Sequence, residues 1–259
     1  MKRVVLTCSL VIFNEEMTVL KRTIDSFLSI PFSKKMFIID NSCFQSLTIH
    51  NDEVKYIKNK TNIGFGGAHN QVLKMIEGKS DYHLILNPDI EFEGIIFKKL
   101  FSAFEKHKQV VMVSPKVINS DGSLQFTCRK NPTIKEILSR RLGINKDYVH
   151  DREYRDRDLS KPFQPEFIHG CFMLFKTNDL IALKGFDSRY FLYMEDADLC
   201  RKILQKNSSI LYFPEVYIKH LHRKGSAKRI KLLFYHIISA YRYFKKWSSK
   251  KKIVHSIIA

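Results

Sequence analysis

The sequence lacks several patterns that would assign it to a familiar class. Its five cysteines are odd in number and scattered without a CxxC pair, which argues against a disulfide framework or a zinc site and fits a reducing compartment. No run reaches the roughly 18 apolar residues that a membrane-spanning helix needs. The apolar stretch Val4–Phe13 ends without a cleavage site of small residues, so we interpret it as a buried strand and not as a signal peptide.

Glycine is also sparse, at 10 residues, and it forms neither a GxGxxG fingerprint nor a P-loop. The segment Ser9–Glu16, which stands where a nucleotide-binding loop near the N-terminus would be, contains no glycine at all. This absence argues against a nucleotidyltransferase, because such an enzyme needs a glycine-rich, lysine-bearing loop near its N-terminus.

Negative charge is the other scarcity. The chain carries 44 Lys and Arg against 26 Asp and Glu, a net charge of +18, which favours anionic partners such as nucleic acid, phosphorylated ligands or an acidic membrane. No acidic residue occurs from 216 to 259, where 12 Lys and Arg are found. Such a block is typical of an interaction tail or of a solvated helix face.

The first half of the chain alternates between short apolar runs and helical patterns. The predicted strands are Val4–Phe13, Met36–Ile39, Val54–Ile57 and Tyr82–Leu86, and apolar residues repeat at helical spacing near 17–28, 72–76 and 96–104. This alternation predicts an α/β fold, Rossmann-like, with a mostly parallel central sheet flanked by helices. Parallel sheets of this kind bind ligands beyond the carboxyl ends of their strands.

The second half is less regular. Strands are predicted at Val110–Ser114 and Phe167–Phe175, and a helix at Glu195–Lys206, whereas Arg140–Lys161 has little periodicity and is interpreted as a mobile loop or an insertion. A last helix is predicted from Ala227 to Trp247. Its apolar face comprises Ile230, Leu233, Phe234, Ile237, Tyr241 and Phe244.

Polar clusters follow two of the predicted parallel strands, Asp40-Asn41-Ser42 after the second and Asn87-Pro88-Asp89 after the fourth. Each cluster alone is typical of a turn, but two at the same edge of one sheet favour a binding site. The segment Asn62–Gly67 precedes a predicted helix, where glycines allow close backbone approach and the helix N-terminus favours an anion.

Three carboxylates open the helix that begins near Glu195. They are Glu195, Asp196 and Asp198, and all three could complement the helix dipole. The two adjacent acids, Glu195 and Asp196, alternatively form a general-base site in which the preceding aromatic residues raise the carboxylate pKa. For Asp198 a pairing with Arg201 or Lys202 is an alternative. His220 follows the apolar run Ile210–Ile218 and is either a metal ligand or a surface residue.

In order and spacing, these motifs resemble glycosyltransferase family 2, in particular the rhamnosyltransferase-like branch of bacterial polysaccharide synthesis (lipopolysaccharide or capsule). The resemblance extends to about Ser226. It is carried by Ile12-Phe13-Asn14, Ile38–Ser42, Asn62–Phe65 with Asn70, Leu84–Asp89, His169–Leu174, Gly185-Phe186-Asp187, Phe191–Arg201 and Tyr212-Phe213-Pro214 leading to His220.

The resemblance implies a GT-A fold, with a catalytic domain over 1–226 (a nucleotide-binding half over 1–115 and an acceptor-side half over 116–226) and a basic amphipathic helix and tail over 227–259. It also implies metal-dependent, inverting sugar transfer in the cytoplasm from a dTDP- or UDP-sugar, dTDP-rhamnose first, to a saccharide or lipid-linked saccharide. The implied roles are nucleotide binding for Asn14, Asp40, Asn41, Asn62, Gly64 and Asn87, binding of Mg²⁺ or Mn²⁺ for Asp89 and His220, and base catalysis for Asp196 with Glu195 in support.

Some features depart from the family, and other interpretations remain open. Asn87 stands where a DxD-type motif begins with Asp, and His169 replaces a small residue. The alternatives to an enzyme are an inactive scaffold of a polysaccharide synthesis complex and a basic nucleic-acid-binding protein, although no nucleic acid is expected because no recognition motif is evident. The last helix either binds an anionic membrane peripherally or packs on the catalytic domain.

Overall fold

The structure, a computed structural model, describes residues 4–43, 47, 49–221 and 230–257, and the side chains as far as 248. The strands are β1 (Val5–Ile12), β2 (Ser33–Asp40), β3 (Val54–Lys58), β4 (Tyr82–Leu86), β5 (Ile90–Glu91), β6 (Val110–Asn119), β7 (Cys128–Arg129), β8 (Phe167–Ile168), β9 (Phe172–Lys176) and β10 (Ser209–His220). The helices are α1 (Met17–Leu28), α2 (Phe65–Asn70), α3 (Leu73–Ile76), α4 (Ile96–Lys106), α5 (Ile134–Leu142), α6 (Lys146–Arg152), α7 (Thr177–Ala182), α8 (Glu195–Gln205) and α9 (Ile230–Ile257).

Eight strands form one central sheet in the order β3-β2-β1-β4-β9-β6-β10-β5. The first four are mutually parallel, as the alternation of short strands and helices predicts. Strand β9 lies antiparallel between β4 and β6, and β5 is antiparallel to β10. The predicted mostly parallel sheet is therefore confirmed, with an antiparallel insertion in its second half.

Alternate residues of β1 support two separate parts of the core. Leu6, Leu10 and Ile12 pack with α1 and α4 on one face, while Val11 packs with α2 and α3 on the other. Since successive strand residues point to opposite faces, a strand buried on both faces reads as a continuous apolar run. Val4–Phe13 is such a run, and a buried first strand is what the structure contains.

The strand register brings the two predicted polar clusters to one edge. Strands β2 and β4 flank β1 in parallel, with Ile12 opposite Asp40 and Leu10 opposite Leu86. The residues that follow β2 and β4 therefore leave the sheet on the same side, as the sequence predicts.

The predicted strand Phe167–Phe175 is wrong in its continuity. The structure divides it into β8 and β9, because Gly170 and Cys171 leave the extended conformation at the carboxyl edge of the sheet. The backbone N–H of Asn87 donates a hydrogen bond to the carbonyl of Cys171 at 3.0 Å. The interruption thus places the His169–Cys171 segment beside the end of β4.

The interpretation of Arg140–Lys161 as a mobile loop is also wrong, because it overlaps α5 and contains α6. Two glutamates whose side chains are 5–6% exposed, Glu136 and Glu153, bind arginines here. Arg140 binds both glutamates, at 2.9 Å and 2.6 Å, and Arg152 lies 3.3 Å from Glu136. The segment has little apolar periodicity because its interior is held by paired charges.

The C-terminal helix α9 packs on the domain through a face that the sequence analysis did not select. Ser239, Tyr243 and Trp247 are buried, and the two aromatic side chains join the core cluster beside α8. Within the predicted apolar face, Leu233 and Phe244 are half-buried, while the other four residues are 55–85% exposed. The predicted start at Ala227 and the domain boundary at 226 lie outside the described residues.

None of the helices in the described part of the chain combines the length and the apolar character that a membrane span needs.

Replacing Glu153 with Gln should lower the free energy of unfolding by about 2 kcal/mol at neutral pH, since Arg140 and Arg155 lose a charged partner. Burial alone raises the pKa of Glu153, but hydrogen bonds from these arginines lower it below its ordinary value. The stabilisation is therefore complete above the unfolded-state pKa of about 4.3 and is lost as the pH falls through the lowered folded-state pKa.

Urea denaturation of both proteins between pH 7 and pH 3 checks this. The exposed Asp156→Asn serves as the control, with an expected change within about 0.5 kcal/mol. A stability difference that does not shrink in acid would contradict the ion-pair account.

Candidate functional site

A cavity of about 940 Å³ opens at the carboxyl edge of the sheet. Eight of the ten site residues expected from the sequence line it, namely Asn14, Asn41, Asn62, Gly64, Asn87, Glu195, Asp196 and His220. Asp40 and Asp89 do not line the cavity, but Asp89 contacts His220, which does. The structure therefore gathers residues from six separate segments of the chain around one space.

One wall comes from the first 70 residues and includes backbone and amide groups beside apolar side chains. The side chain of Asn41 donates a hydrogen bond to the carbonyl of Gly64 at 3.1 Å, and the side-chain oxygen of Asn62 accepts one from the Gly64 N–H at 2.9 Å. Gly64 has φ +82° and ψ 173°, a region that essentially only glycine occupies. A Cβ atom there would lie 2.3 Å from the carbonyl oxygen of Phe191.

Asp40 is fully buried and already bound by the protein. Its carboxylate accepts hydrogen bonds from the Ser42 N–H, the Tyr56 hydroxyl and the Lys58 ammonium at 2.5–2.8 Å. Burial alone would raise the pKa of Asp40, but the bonds from Lys58, Ser42 and Tyr56 outweigh it and lower the pKa. The expected contact between Asp40 and a nucleotide base stays a prediction.

Two acidic residues face the cavity from the first turn of α8. The backbone leading into this turn is constrained, because Tyr193 and Met194 both have positive φ, at 70° and 66°. Asp196 is 15% exposed and accepts hydrogen bonds from the N–H groups of Gly170 and Ala197 at 3.1 Å and 2.8 Å. Glu195 is buried, and its Oε2 has no hydrogen-bond partner among the described residues.

Burial controls the protonation of both carboxyl groups. It raises the pKa of Glu195 well above the ordinary value, and the charge of Asp196 adds to the effect. It also raises the pKa of Asp196, although the N–H groups of Ala197 and Gly170 and the charge of Arg129 oppose the rise. A carboxyl group with a raised pKa is suited to general-base catalysis near neutral pH.

His169 lies beside this pair, with its Nδ1 3.7 Å from Oδ2 of Asp196. Burial, followed by the charges of Arg129 and Arg140, lowers the pKa of His169 well below its ordinary value. The imidazole is therefore neutral at neutral pH. The sequence analysis noted His169 as a departure from the family, but it did not identify Arg129 as a neighbour of the acidic pair.

Asp89 and His220 meet across β5 and β10. The Nε2 atom of His220 lies 3.1 Å from Oδ1 of Asp89, and its Nδ1 lies 2.9 Å from the side-chain oxygen of Gln125. The described residues contain no group of three or more His, Cys, Asp or Glu arranged to hold a metal ion. The pair nevertheless fits a hard cation that takes one or two protein ligands and completes its shell with water and phosphate oxygens.

Asp198, the third acidic residue of the α8 turn, faces away from the cavity. Its fully buried carboxylate accepts hydrogen bonds from Lys246 at 2.7 Å and from the indole N–H of Trp247 at 2.9 Å. Asp198 therefore pairs with Lys246 of α9 and not with Arg201 or Lys202, which the sequence offered as alternatives.

Helix α9 also reaches the cavity, through Lys231, Leu232 and Tyr235. The sequence analysis missed this contribution. An amphipathic pattern shows that a helix has two faces, but it does not show which of them docks.

The family model for glycosyl transferase family 2 matches residues 8–183, which is more than half of the chain. Rhamnosyltransferase WbbL of Escherichia coli (strain K12) is 28% identical over 71% of this chain and 70% of its own length. An N-acetylglucosaminyl-diphospho-decaprenol L-rhamnosyltransferase of Mycobacterium tuberculosis (strain CDC 1551 / Oshkosh) is 24% identical over 68% of this chain. This chain spans 61% of that relative's length.

Among solved structures, the crystal structure of GalNAc-T7 with UDP, GalNAc and Mn²⁺ superimposes with a TM-score of 0.63. The match covers 88% of this chain and 46% of the other, at 16% identity. At this identity the likeness concerns the fold alone, and it confirms the expected GT-A fold.

Replacing Gly64 with Ala should lower the free energy of unfolding by at least about 2 kcal/mol, because the required backbone conformation and the Phe191 carbonyl both exclude a side chain. Gly67→Ala is the matched control, since it lies within α2 and its Cβ would meet nothing closer than 4.0 Å. That variant should be neutral or slightly stabilising. Chemical denaturation distinguishes the two, and equal effects would contradict the described approach of the two loops.

Proposed function

The chain belongs to glycosyl transferase family 2, and from this membership and the site geometry we propose that it transfers rhamnose from dTDP-rhamnose to a lipid-linked saccharide with inversion at the anomeric carbon. The observation that carries the proposal is the pair of acidic residues, the buried Glu195 and the partly exposed Asp196, facing the cavity from the start of α8. The glycosylated acceptor would then be used in cell-surface polysaccharide synthesis.

The reaction needs one proton acceptor and one stabilised leaving group. A hydroxyl oxygen of the acceptor attacks the anomeric carbon of the donor, and its proton passes to the Asp196 carboxylate. The bond between the anomeric carbon and the diphosphate oxygen breaks, and the nucleoside diphosphate leaves with the bonding electrons. A single attack of this kind inverts the anomeric configuration.

Asp196 is assigned as the base because it is the more accessible of the two carboxyl groups. Its two backbone donors hold the carboxylate in place, and they limit the rise in its pKa. Glu195 has the more strongly raised pKa, because of its burial and the adjacent charge of Asp196. This shift opposes a second negative charge next to Asp196, since two adjacent carboxylates cannot easily both ionise.

The donor nucleotide is assigned to the wall formed by Asn14, Asn41, Asn62, Gly64 and Asn87. The close backbone approach at Gly64 and the amide groups around it are suited to a flat, polar ligand. Two relatives are named as rhamnosyltransferases, which supports dTDP-rhamnose as the first candidate and leaves UDP-sugars as the second.

Asp89 and His220 would hold Mg²⁺ or Mn²⁺ together with the diphosphate of the donor. Such an ion, when bound, neutralises the charge that grows on the leaving diphosphate. The two side chains lie 3.1 Å apart, and only one of them is a carboxylate. This small ligand set supports weak binding of the metal ion that depends on the presence of the nucleotide. Gln125 orients the imidazole from its other nitrogen.

A lipid-linked acceptor requires contact with a membrane, and the exposed face of α9 supports such contact. Ile230, Phe234, Ile237 and Tyr241 form a stripe directed away from the domain. The basic side chains of α9 would attract the anionic headgroups of the inner face of the cell membrane.

Helix α5 presents a second stripe of this kind, Ile134, Leu138 and Leu142, which are 52–65% exposed. Burial lowers the pKa of His236 in α9, and the charge of Arg141 in α5 lowers it further. This effect of Arg141 indicates that the two helices are neighbours. Two outward apolar stripes with a basic surround support peripheral attachment of a cytoplasmic enzyme.

Replacing Asp196 with Asn should reduce kcat by about 10² to 10⁴, because the base is lost while the donor wall is intact. Donor affinity should remain within about twofold on this general-base account. In the wild-type protein, kcat should fall as the pH falls through the raised pKa of Asp196, above the ordinary Asp value of about 3.9. Transfer from dTDP-rhamnose, followed by NMR to assign the anomeric configuration, measures these quantities.

The exposed Asp25→Asn is the control and should leave kcat unchanged. Wild-type protein that binds dTDP-rhamnose but does not transfer it to any lipid-linked saccharide would support the inactive scaffold instead.

The double variant Phe234→Asp with Ile237→Asp should weaken binding to anionic phosphatidylglycerol vesicles by at least about tenfold, since both side chains would otherwise enter the interface. Vesicle sedimentation measures the change, with Met75→Asp plus Ile95→Asp, two exposed apolar residues elsewhere, as the matched control. Equal vesicle binding by the two double variants would contradict a role of α9 in membrane contact.

A further inference from the structure

We propose that α9 completes the active site by forming an acceptor subsite, in which the aromatic side chains of Phe191, Tyr193 and Tyr235 bind the face of a pyranose ring and Lys231 binds a phosphate group attached to it. This inference rests on the proposed function and deepens it, because it assigns the acceptor a place and a chemical class.

The walls of the cavity come from two parts of the chain. The donor wall is formed by the first 90 residues and contains the amide side chains of four asparagines beside apolar residues such as Phe13 and Phe65. The second wall consists of the Phe191–Tyr193 segment, which leads into α8, and of Lys231, Leu232 and Tyr235 from α9. Glu195 and Asp196 line the same cavity, so an acceptor held by the second wall would present its hydroxyl beside the base.

The aromatic side chains of this wall are held in contact with one another. The rings of Phe191 and Tyr235 have centroids 4.6 Å apart, and the ring of Tyr193 meets His236 edge-on at 5.2 Å. All three wall aromatics are half-buried, so each retains accessible surface in the cavity. An aromatic face is apolar and rigid, and it matches the C–H face of a pyranose ring while hydroxyl groups at the ring edge remain free to react.

Further contacts fix α9 relative to the base-bearing turn. The hydroxyl of Ser239 donates a hydrogen bond to the carbonyl of Leu192 at 2.8 Å. The ammonium of Lys246 bridges Asp187 at 2.9 Å and Asp198 at 2.7 Å, and Trp247 donates to the same Asp198. Hydrogen bonds thus connect the helix that carries Tyr235 to the segment that carries the base, as a pre-organised subsite requires.

Lys231 gives the subsite its charge preference. It is exposed at the mouth of the cavity, four residues before Tyr235 and on the same side of the helix. An ammonium at this position would attract a phosphate or diphosphate that links the sugar to a carrier. The subsite therefore favours a phosphorylated glycoside over a neutral one.

The experiment measures ligand binding by calorimetry with the full chain. The probes are alkyl glucoside, alkyl galactoside, alkyl N-acetylglucosaminide and alkyl N-acetylglucosaminyl diphosphate, and dTDP-rhamnose is titrated in parallel. The variants are Tyr235→Ala, Tyr235→Phe and Lys231→Ala. Tyr217→Ala and Lys99→Ala, exposed residues that do not line this cavity, are the matched controls.

We expect Tyr235→Ala to raise the Kd of the bound pyranosides about tenfold and Tyr235→Phe to leave it unchanged, because the ring supplies the contact. Lys231→Ala should raise the Kd of the diphosphate probe alone. Neither variant should change the Kd of dTDP-rhamnose, and the controls should match the wild type for every probe.

The proposal is overturned if no member of the panel binds the wild-type protein, or if Tyr235→Ala binds the probes as the wild type does. It is also overturned if Tyr235→Ala weakens dTDP-rhamnose equally, since the residue would then be a general structural support. Sugar binding through Tyr235 without any binding of dTDP-rhamnose would leave the subsite standing and contradict the proposed donor.

Discussion

The carboxylate of Asp198 is the contact on which the arrangement of the site depends. It lies fully buried behind the first turn of α8 and receives hydrogen bonds from Lys246 and Trp247 of α9. A buried carboxylate without such donors would be strongly unfavourable, so the contact with Asp198 favours the docked position of α9. In the docked position of α9, Tyr235 lines the cavity and Ser239 donates a hydrogen bond to the Phe191–Tyr193 segment.

The same turn of α8 shows how one short sequence serves two purposes. Asp196 and Asp198 are two positions apart on a helix, and they therefore point in different directions. One faces the cavity with a raised pKa, and the other faces the interior and holds the C-terminal helix. The two faces of α9 also serve different purposes. Its inner face contributes to the cavity, and its outer face is apolar and exposed.

Sequence reasoning predicts best where one physical rule dominates. The buried parallel strands and the convergence of Asn41 and Asn87 at one edge follow from apolar runs and from the parallel pairing of β2 and β4 with β1. The order of the segment 140–161 is not predictable from apolar periodicity, because it depends on ion pairs between charged residues of different helical turns, such as Glu153 with Arg140.

The docking face of α9 could not be predicted for a related reason. Tyr243 and Trp247 are as amphipathic as Tyr241, and only the position of Asp198 in three dimensions selects between them. Gln125 was missed similarly, because its role depends on lying 2.9 Å from His220, 95 positions further along the chain. No local pattern marks such a residue.

The most direct test of the account is calorimetric titration of the wild-type protein and Asp89→Ala with a panel of dTDP- and UDP-sugars, with and without Mn²⁺. The account predicts that one sugar nucleotide, dTDP-rhamnose first, binds the wild-type protein in a Mn²⁺-dependent manner and that Asp89→Ala loses this dependence. Folded wild-type protein that binds no sugar nucleotide under either condition would contradict the account and favour a scaffold or nucleic-acid-binding role.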